Sequence, residues 1–177
     1  LSTLLNISQS LASTLELEPL LSLILNQFQA LVAFDGAAVL ILDEDELEIL
    51  AYRGPIPQDE ALNLRFPLVE ADVNKLVIER RQPVIIPDIH DDAPLAQAFR
   101  NTAGNQLDST FSYIRSWMGV PLVSRDQVIG MLSLDSNQPN AYTRRHSLLA
   151  RTFADQVAVA IENARLYEEE HKRRSEL

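Results

Sequence analysis

The sequence predicts an α+β fold: a central antiparallel sheet of about five to six strands, terminal helices on one face, and a helical and loop cover on the other. Three observations predict it. Apolar residues recur every three or four positions near both ends of the chain, as on helices that bury one face. Short apolar or alternating runs, separated by polar turns, fill the middle. The chain has 177 residues, 46 % of them apolar, which is enough to bury a single core without covalent staples.

Leu1, Leu4, Leu5, Leu11 and Leu15 predict a first helix with one apolar stripe. Glu18-Pro19 predicts a restart, because proline suits the first turn of a helix, and Glu16 and Glu18 favour its positive end. Leu20, Leu21, Ile24, Leu25, Phe28, Leu31 and Val32 give this second helix a broad apolar face, and Asp35-Gly36 ends it. Ala37 to Leu42 reads as a buried strand, Asp43 to Glu46 as a turn, and Leu47 to Tyr52 as the returning strand of a hairpin. Arg53-Gly54-Pro55-Ile56-Pro57 breaks it. Leu62 to Phe66 alternates and predicts a short strand, Asp72 to Arg81 a short helix, and Pro83 to Pro87 a strand limited by two prolines. Asp88 to Ser112 is the least regular stretch, with a helix expected over Pro94 to Ala103 and a loop over Gly104 to Thr110. Tyr113 to Val123 and Gln127 to Asp135 predict two strands joined tightly through Ser124-Arg125-Asp126. From Thr143 a long helix carries Leu149, Phe153, Val157, Ala160, Ile161, Ala164 and Tyr167 at helical spacing, then turns wholly polar from Glu168 to Glu176.

Composition excludes several function classes. The chain has no cysteine, so a disulfide framework, a thiolate-ligated metal and a thiol nucleophile are ruled out. Net charge is −10, which repels nucleic-acid phosphates. The apolar run Ala37 to Leu42 is far too short to insert into a membrane, and no basic, apolar leader opens the sequence, so the expected compartment is the cytoplasm. The chain begins and ends within helical patterns and lacks a starting Met, which suggests a domain taken from a longer protein.

Several segments together resemble a GAF domain, the small-molecule sensor module of bacterial signalling proteins such as sensor histidine kinases and cyclic-dinucleotide enzymes. They are Ser116 to Leu122, Val128 to Asp135, Ala141-Tyr142-Thr143 and the helix Phe153 to Tyr167. Ile7 to Leu15 and Pro83 to Asp88 resemble the family's first helix and middle strand. The likeness spans essentially the whole chain, as one domain over 1–177 with 1–17 and 165–177 as flanking signalling helices. Gly130, inside a strand pattern, predicts a bulge or the close approach of another backbone, and Pro121 must face an edge or irregularity.

Alternation along Met131 to Asp135 puts Leu132 and Leu134 on one face, assigned to the end helices, and Met131, Ser133 and Asp135 on the other. Trp117 and Gly119 should share a face of their strand. The resemblance implies a ligand between the sheet and its irregular cover, and the residues expected to line it are Phe99, Tyr113, Arg115, Trp117, Met131, Ser133 and Asp135. The competing reading is that these side chains fill the space themselves. Asp88-Ile89-His90-Asp91-Asp92 has donors suited to a divalent ion but reads as an acidic loop. His90, His146 and His171 are read as surface residues, and Arg144-Arg145 and Lys172-Arg173-Arg174 as solvated helix faces. There is no Gly-rich phosphate loop.

The resemblance therefore implies a non-catalytic sensory module, dimerising through its terminal helices and controlling an output domain. The family includes reductases of free methionine sulfoxide, but their chemistry needs a redox cysteine, as does covalent bilin attachment. The Asn-Lys, Phe and Asp-Glu signature of the cyclic-nucleotide branch is not found. A cyclic nucleotide, noncovalent haem or another chromophore, and a ligand-free dimerisation module, stay open as alternatives, and the cofactor stays unknown.

Overall fold

A computed structural model describes residues 14–176. In chain order the elements are helix α1 (Thr14–Gln29), strands β1 (Gly36–Asp43) and β2 (Glu46–Arg53), the short helix α2 (Gln58–Leu62), strand β3 (Arg65–Pro67), helix α3 (Val73–Arg80) and strand β4 (Val84–Ile86). Helix α4 (Pro94–Ala103) runs into a tight turn over Gly104–Asp108, and strands β5 (Ser116–Ser124) and β6 (Gln127–Ser136) and helix α5 (Arg144–Glu176) complete the chain. All neighbouring strands are antiparallel, in the order β3-β2-β1-β6-β5-β4. The predicted α+β architecture is the one observed.

Local chemistry sets the hairpins. Arg125 and Asp126, the two residues between β5 and β6, have φ of 52° and 63°. That left-handed pair matches the twist of the flanking strands. Gly130 answers the expectation made of it: a Cβ there would collide with the Leu40 carbonyl oxygen and lie 3.1 Å from Ile41 Cα. The β5–β6 register also slips opposite it, between Leu122 and Val123. Pro121 lies beyond Trp117 to Gly119, the stretch that β4 pairs, so its missing N–H breaks no ladder with β4.

Alternation then divides the core by face. Val39, Met118, Val120, Leu132 and Leu134 pack against Leu21, Ile24, Leu25 and Phe28 of α1 and Phe153, Val157 and Ile161 of α5. The Phe28 and Phe153 rings lie 4.4 Å apart, centre to centre. On the opposite face Leu40, Leu47, Trp117 and Met131 meet Val73 and Val77 of α3, Ala96 and Phe99 of α4, and Ile89 and Ile114. The leucine face and the mixed face predicted for β6 are thus both in place. Helix α5 is last buried at Ala164 and is exposed from Arg165 to Ser175.

The structure corrects four expectations. Pro19 does not restart the chain but sits inside a continuous α1. Glu18 and Pro19 face solvent while Leu17, Leu20 and Leu21 are buried, so packing on either side outweighs the lost hydrogen bond. Residues 58–62 form α2, and the strand expected from Leu62 begins at Arg65. Strand β5 begins at Ser116, leaving Tyr113 in the turn before it. His146 is half-buried rather than a surface residue, because its Nδ1 accepts the Thr143 backbone N–H at 3.0 Å and so caps α5. Leu1, Leu4, Leu5 and Leu11 of the predicted first helix lie outside the described residues, as does the side chain of Leu15.

Candidate functional site

The mixed face of the sheet does not close completely against its cover. Between them lies a cavity of about 80 Å³. Its floor is β1, β2, β5 and β6, through Ala38, Leu40, Ile49, Tyr52, Trp117, Met131, Ser133 and Asp135. Its roof is Val73 and Asn74 of α3, Phe99 and Thr102 of α4, and Phe111, Tyr113 and Ile114 from the turn before β5.

Trp117 is aimed by its strand. A Cβ on Gly119 would run into the Trp117 ring, so the absence of a side chain two residues on lets the indole lie along the sheet, as their shared face requires. The ring sits 5.6 Å from that of Phe99, and its Nε1–H donates to Ser133 Oγ at 2.9 Å. Thr102 ties the roof together: its hydroxyl accepts the Val73 N–H at 3.0 Å and donates to the Ala98 carbonyl at 3.0 Å.

The polar end of the cavity gathers around Gly36. A Cβ there would lie 2.5 Å from Tyr113 Oη and 2.7 Å from Asp135 Oδ1, so only glycine lets these groups close over β1. Tyr52 adjoins them, its hydroxyl accepting the Ile56 N–H at 3.1 Å. Asp135 is 9 % exposed, and its Oδ1 has no hydrogen-bond partner among the described residues. Burial raises its pKa to about 7, the negative charge of Asp35 adds to the rise, and Tyr113 and the Gly36 backbone offset part of it. Burial, then the charge of Asp135, pushes the Tyr113 phenol up, and Tyr52 is raised chiefly by burial.

This architecture is a known one. The sequence profile of the GAF domain matches residues 16–161. The chain belongs to the GAF domain family. GAF domains are regulatory sensory modules of signalling proteins. Over 87 residues this GAF domain is 31 % identical to the formate hydrogenlyase transcriptional activator FhlA of Escherichia coli, a match covering 49 % of the chain and 12 % of that protein's length. The GAF domain of an Acinetobacter phosphoenolpyruvate-protein phosphotransferase has the same fold, with a TM-score of 0.69, 22 % identity and 93 % of each chain covered. So does the free methionine-R-sulfoxide reductase of Neisseria meningitidis, solved with its substrate: TM-score 0.67, 20 % identity, 93 % of this chain and 89 % of that one.

Of the lining residues expected for this GAF domain, Phe99, Tyr113, Trp117, Met131, Ser133 and Asp135 meet at the cavity, and Arg115 does not. Arg115 precedes β5, and its Nη2 lies 3.1 Å from Asp88 Oδ2, where the guanidinium keeps partial contact with water. Ile114 supplies the buried side chain instead. The acidic stretch is engaged in contacts of its own loop. Asp88 is held below the usual carboxylate range by the His90 N–H and then Arg115, and Asp91 accepts the Ala93 N–H at 2.9 Å. Among the described residues no group of three His, Asp or Glu side chains is arranged to hold a metal ion.

Sequence reasoning missed Tyr52, Asn74, Thr102 and Phe111. Asn74 was findable, as a polar residue beside Val73 and Val77 on the buried side of α3. Thr102 carried no such signal, because its role as a cap belongs to a helix 29 residues away.

Proposed function

We propose that this GAF domain is the non-catalytic sensor of a larger cytoplasmic signalling protein and takes a small molecule into the cavity under α3 and α4. The observation that carries this is the cavity itself, apolar on most sides, with an unpaired buried carboxylate oxygen at one end. Its residues are positioned to pass a signal through the sheet. Trp117 and Met131 face the cavity, while their neighbours Met118 and Leu132 belong to the core shared with α1 and α5. A ligand that moved Trp117 would act on α5 through one strand, to the extent that it binds two arrangements unequally. Helix α5 extends past its last buried residue, Ala164, as a solvent-exposed rod suited to joining an output domain. That output is a histidine kinase, a cyclic-dinucleotide enzyme or, on the likeness to FhlA, a transcriptional activator. Among the described residues no helix is long and apolar enough to cross a membrane.

Two chains pair through their terminal helices in this reading. Leu148, Val159 and Leu166 are exposed on one stripe of α5, eleven and seven residues apart, as a parallel helical pair would use them. Sedimentation at micromolar concentration tests it: a dimer is expected, and a persistent species near the 19.9 kDa chain mass would refute the pairing.

The size and charge of the cavity weigh against a cyclic nucleotide or haem. Ligand pockets for such molecules span about 300–1,000 Å³, and among the described residues no Lys, Arg or His lines this one to meet a phosphate or propionate. The small volume instead favours, as a second reading, a domain whose own side chains nearly fill the space. Native mass spectrometry separates the two. A stoichiometric small molecule retained by the folded chain supports the sensor, and a bare chain that no added small molecule stabilises supports the filled core.

A further inference from the structure

Resting on the sensor reading of the cavity, we infer that it selects a small primary ammonium ligand, a short-chain amine of about two to four carbons, with Asp135 as the anchoring anion. Four observations converge on this class. The first is a carboxylate oxygen, Asp135 Oδ1, that is buried at the cavity wall without a hydrogen-bond partner among the described residues, although Tyr113 and the Gly36 backbone stabilise the carboxylate as a whole. A charge so placed is stable only when paired, and a cation entering the cavity would pair it. The second is the sign of the surroundings. Among the described lining residues Asp135 is the one charged side chain, and Asp35 adds its negative charge close by. Anions are therefore repelled, and a zwitterionic amino acid would bring a carboxylate that finds no basic partner.

Third, the walls suit the two ends of an alkylammonium. The hydroxyls of Tyr113 and Tyr52 stand beside Asp135 as acceptors for the remaining N–H groups. Tyr52, Tyr113 and Trp117 line the cavity, and aromatic rings attract cations. Leu40, Ile49, Ile56 and Met131 line the rest for an aliphatic tail. Fourth, size limits that tail. A cavity of about 150 Å³ holds benzene, and this one is about 80 Å³.

The charged and ionisable side chains near Asp135 are Tyr113 from the turn before β5, Tyr52 on β2, Asp35 ahead of β1 and Tyr142 ahead of α5. The tyrosines are raised out of the working range, which leaves Asp135 as the group whose proton competes with the ligand. Because its pKa is raised to about 7, ammonium affinity should fall about tenfold from pH 8 to pH 6.

The test uses the sole tryptophan, Trp117, which lines the cavity. Its indole N–H resonance is followed by NMR while methylammonium to hexylammonium are titrated in, beside the alcohols and carboxylates of matched length. A saturable shift is expected for ethylammonium to butylammonium and no shift for the carboxylates. Asp135→Asn should weaken ammonium binding at least tenfold while its spectrum stays dispersed. Should that variant not fold, the pH titration of the unaltered protein carries the same information. Alcohols binding as well as ammonium ions, an affinity indifferent to pH, or full affinity in Asp135→Asn would overturn the ammonium assignment and leave the cavity a sensor of another class. If no probe moves the Trp117 resonance, the ammonium assignment falls, and the native mass spectrum alone decides the sensor reading.

Discussion

Asp135 is the residue on which burial and charge conflict most directly. In the folded chain its pKa is raised to about 7, against about 3.9 when unfolded. The folded state therefore binds this proton more tightly. The resulting stability is fully present below about pH 4 and is lost as pH rises through 7. A difference of about three units corresponds to as much as about 4 kcal/mol. Without ligand, Asp135→Asn should match the natural chain near pH 3 and exceed its stability at pH 8, as read by urea denaturation at both values. Equal stabilities at pH 8 would mean that the carboxylate already has a partner. Gly36 sets the same region by having no side chain: a Cβ there meets Tyr113 and Asp135 at once.

Among the elements, α5 carries the largest share of the helical face of the sheet. Ile161 is 1 % exposed and packs in the core shared with α1. Truncating it should cost about 2–5 kcal/mol, measured as a shift of the denaturation midpoint of Ile161→Ala. A loss below about 0.5 kcal/mol would put Ile161 outside any well-packed core. The β5–β6 hairpin supports an opposite prediction. Asp126 holds φ at 63° without being glycine, a conformation that costs an ordinary residue about 1 kcal/mol. Its side chain forms no hydrogen bond among the described residues, while its carbonyl accepts from Arg81 at 2.7 Å and would persist. Asp126→Gly should therefore raise stability by up to about 1 kcal/mol, seen as a higher melting temperature, with the gain reduced by glycine's greater unfolded-state entropy.

Taken whole, the molecule is one sheet with two unlike coverings. The helical side is continuous and closely packed, whereas the other side is assembled from short helices and turns. No residue of the Gly104–Asp108 turn is buried. Amide hydrogen exchange should accordingly be fastest, among interior segments, across residues 88–112, and within them across 104–112. Protection there equal to that of β5 and β6 in the absence of ligand would mean the cover is part of the rigid core. An ammonium ligand bound beneath it should slow exchange in α4 while leaving α1 unchanged.

The sequence by itself determined what depends on period and composition. Two- and three-to-four-residue repeats located most strands and helices. The alternation Met131-Leu132-Ser133-Leu134-Asp135 assigns both faces of β6, because side chains on a strand must alternate. The absence of cysteine excluded whole chemistries. Other features belonged to tertiary structure alone. Pro19 passes through the middle of α1 because burial on both sides outweighs its local preference. Arg115 leaves the cavity for Asp88 because a cation is more stable half in water beside a carboxylate than under a roof of aromatic rings. Thr102 caps a helix far away in sequence, and Asp135 gains its raised pKa from burial and from the charge of Asp35 on a distant segment. Such effects arise from desolvation and from contacts between distant segments, and no local pattern in the chain records either.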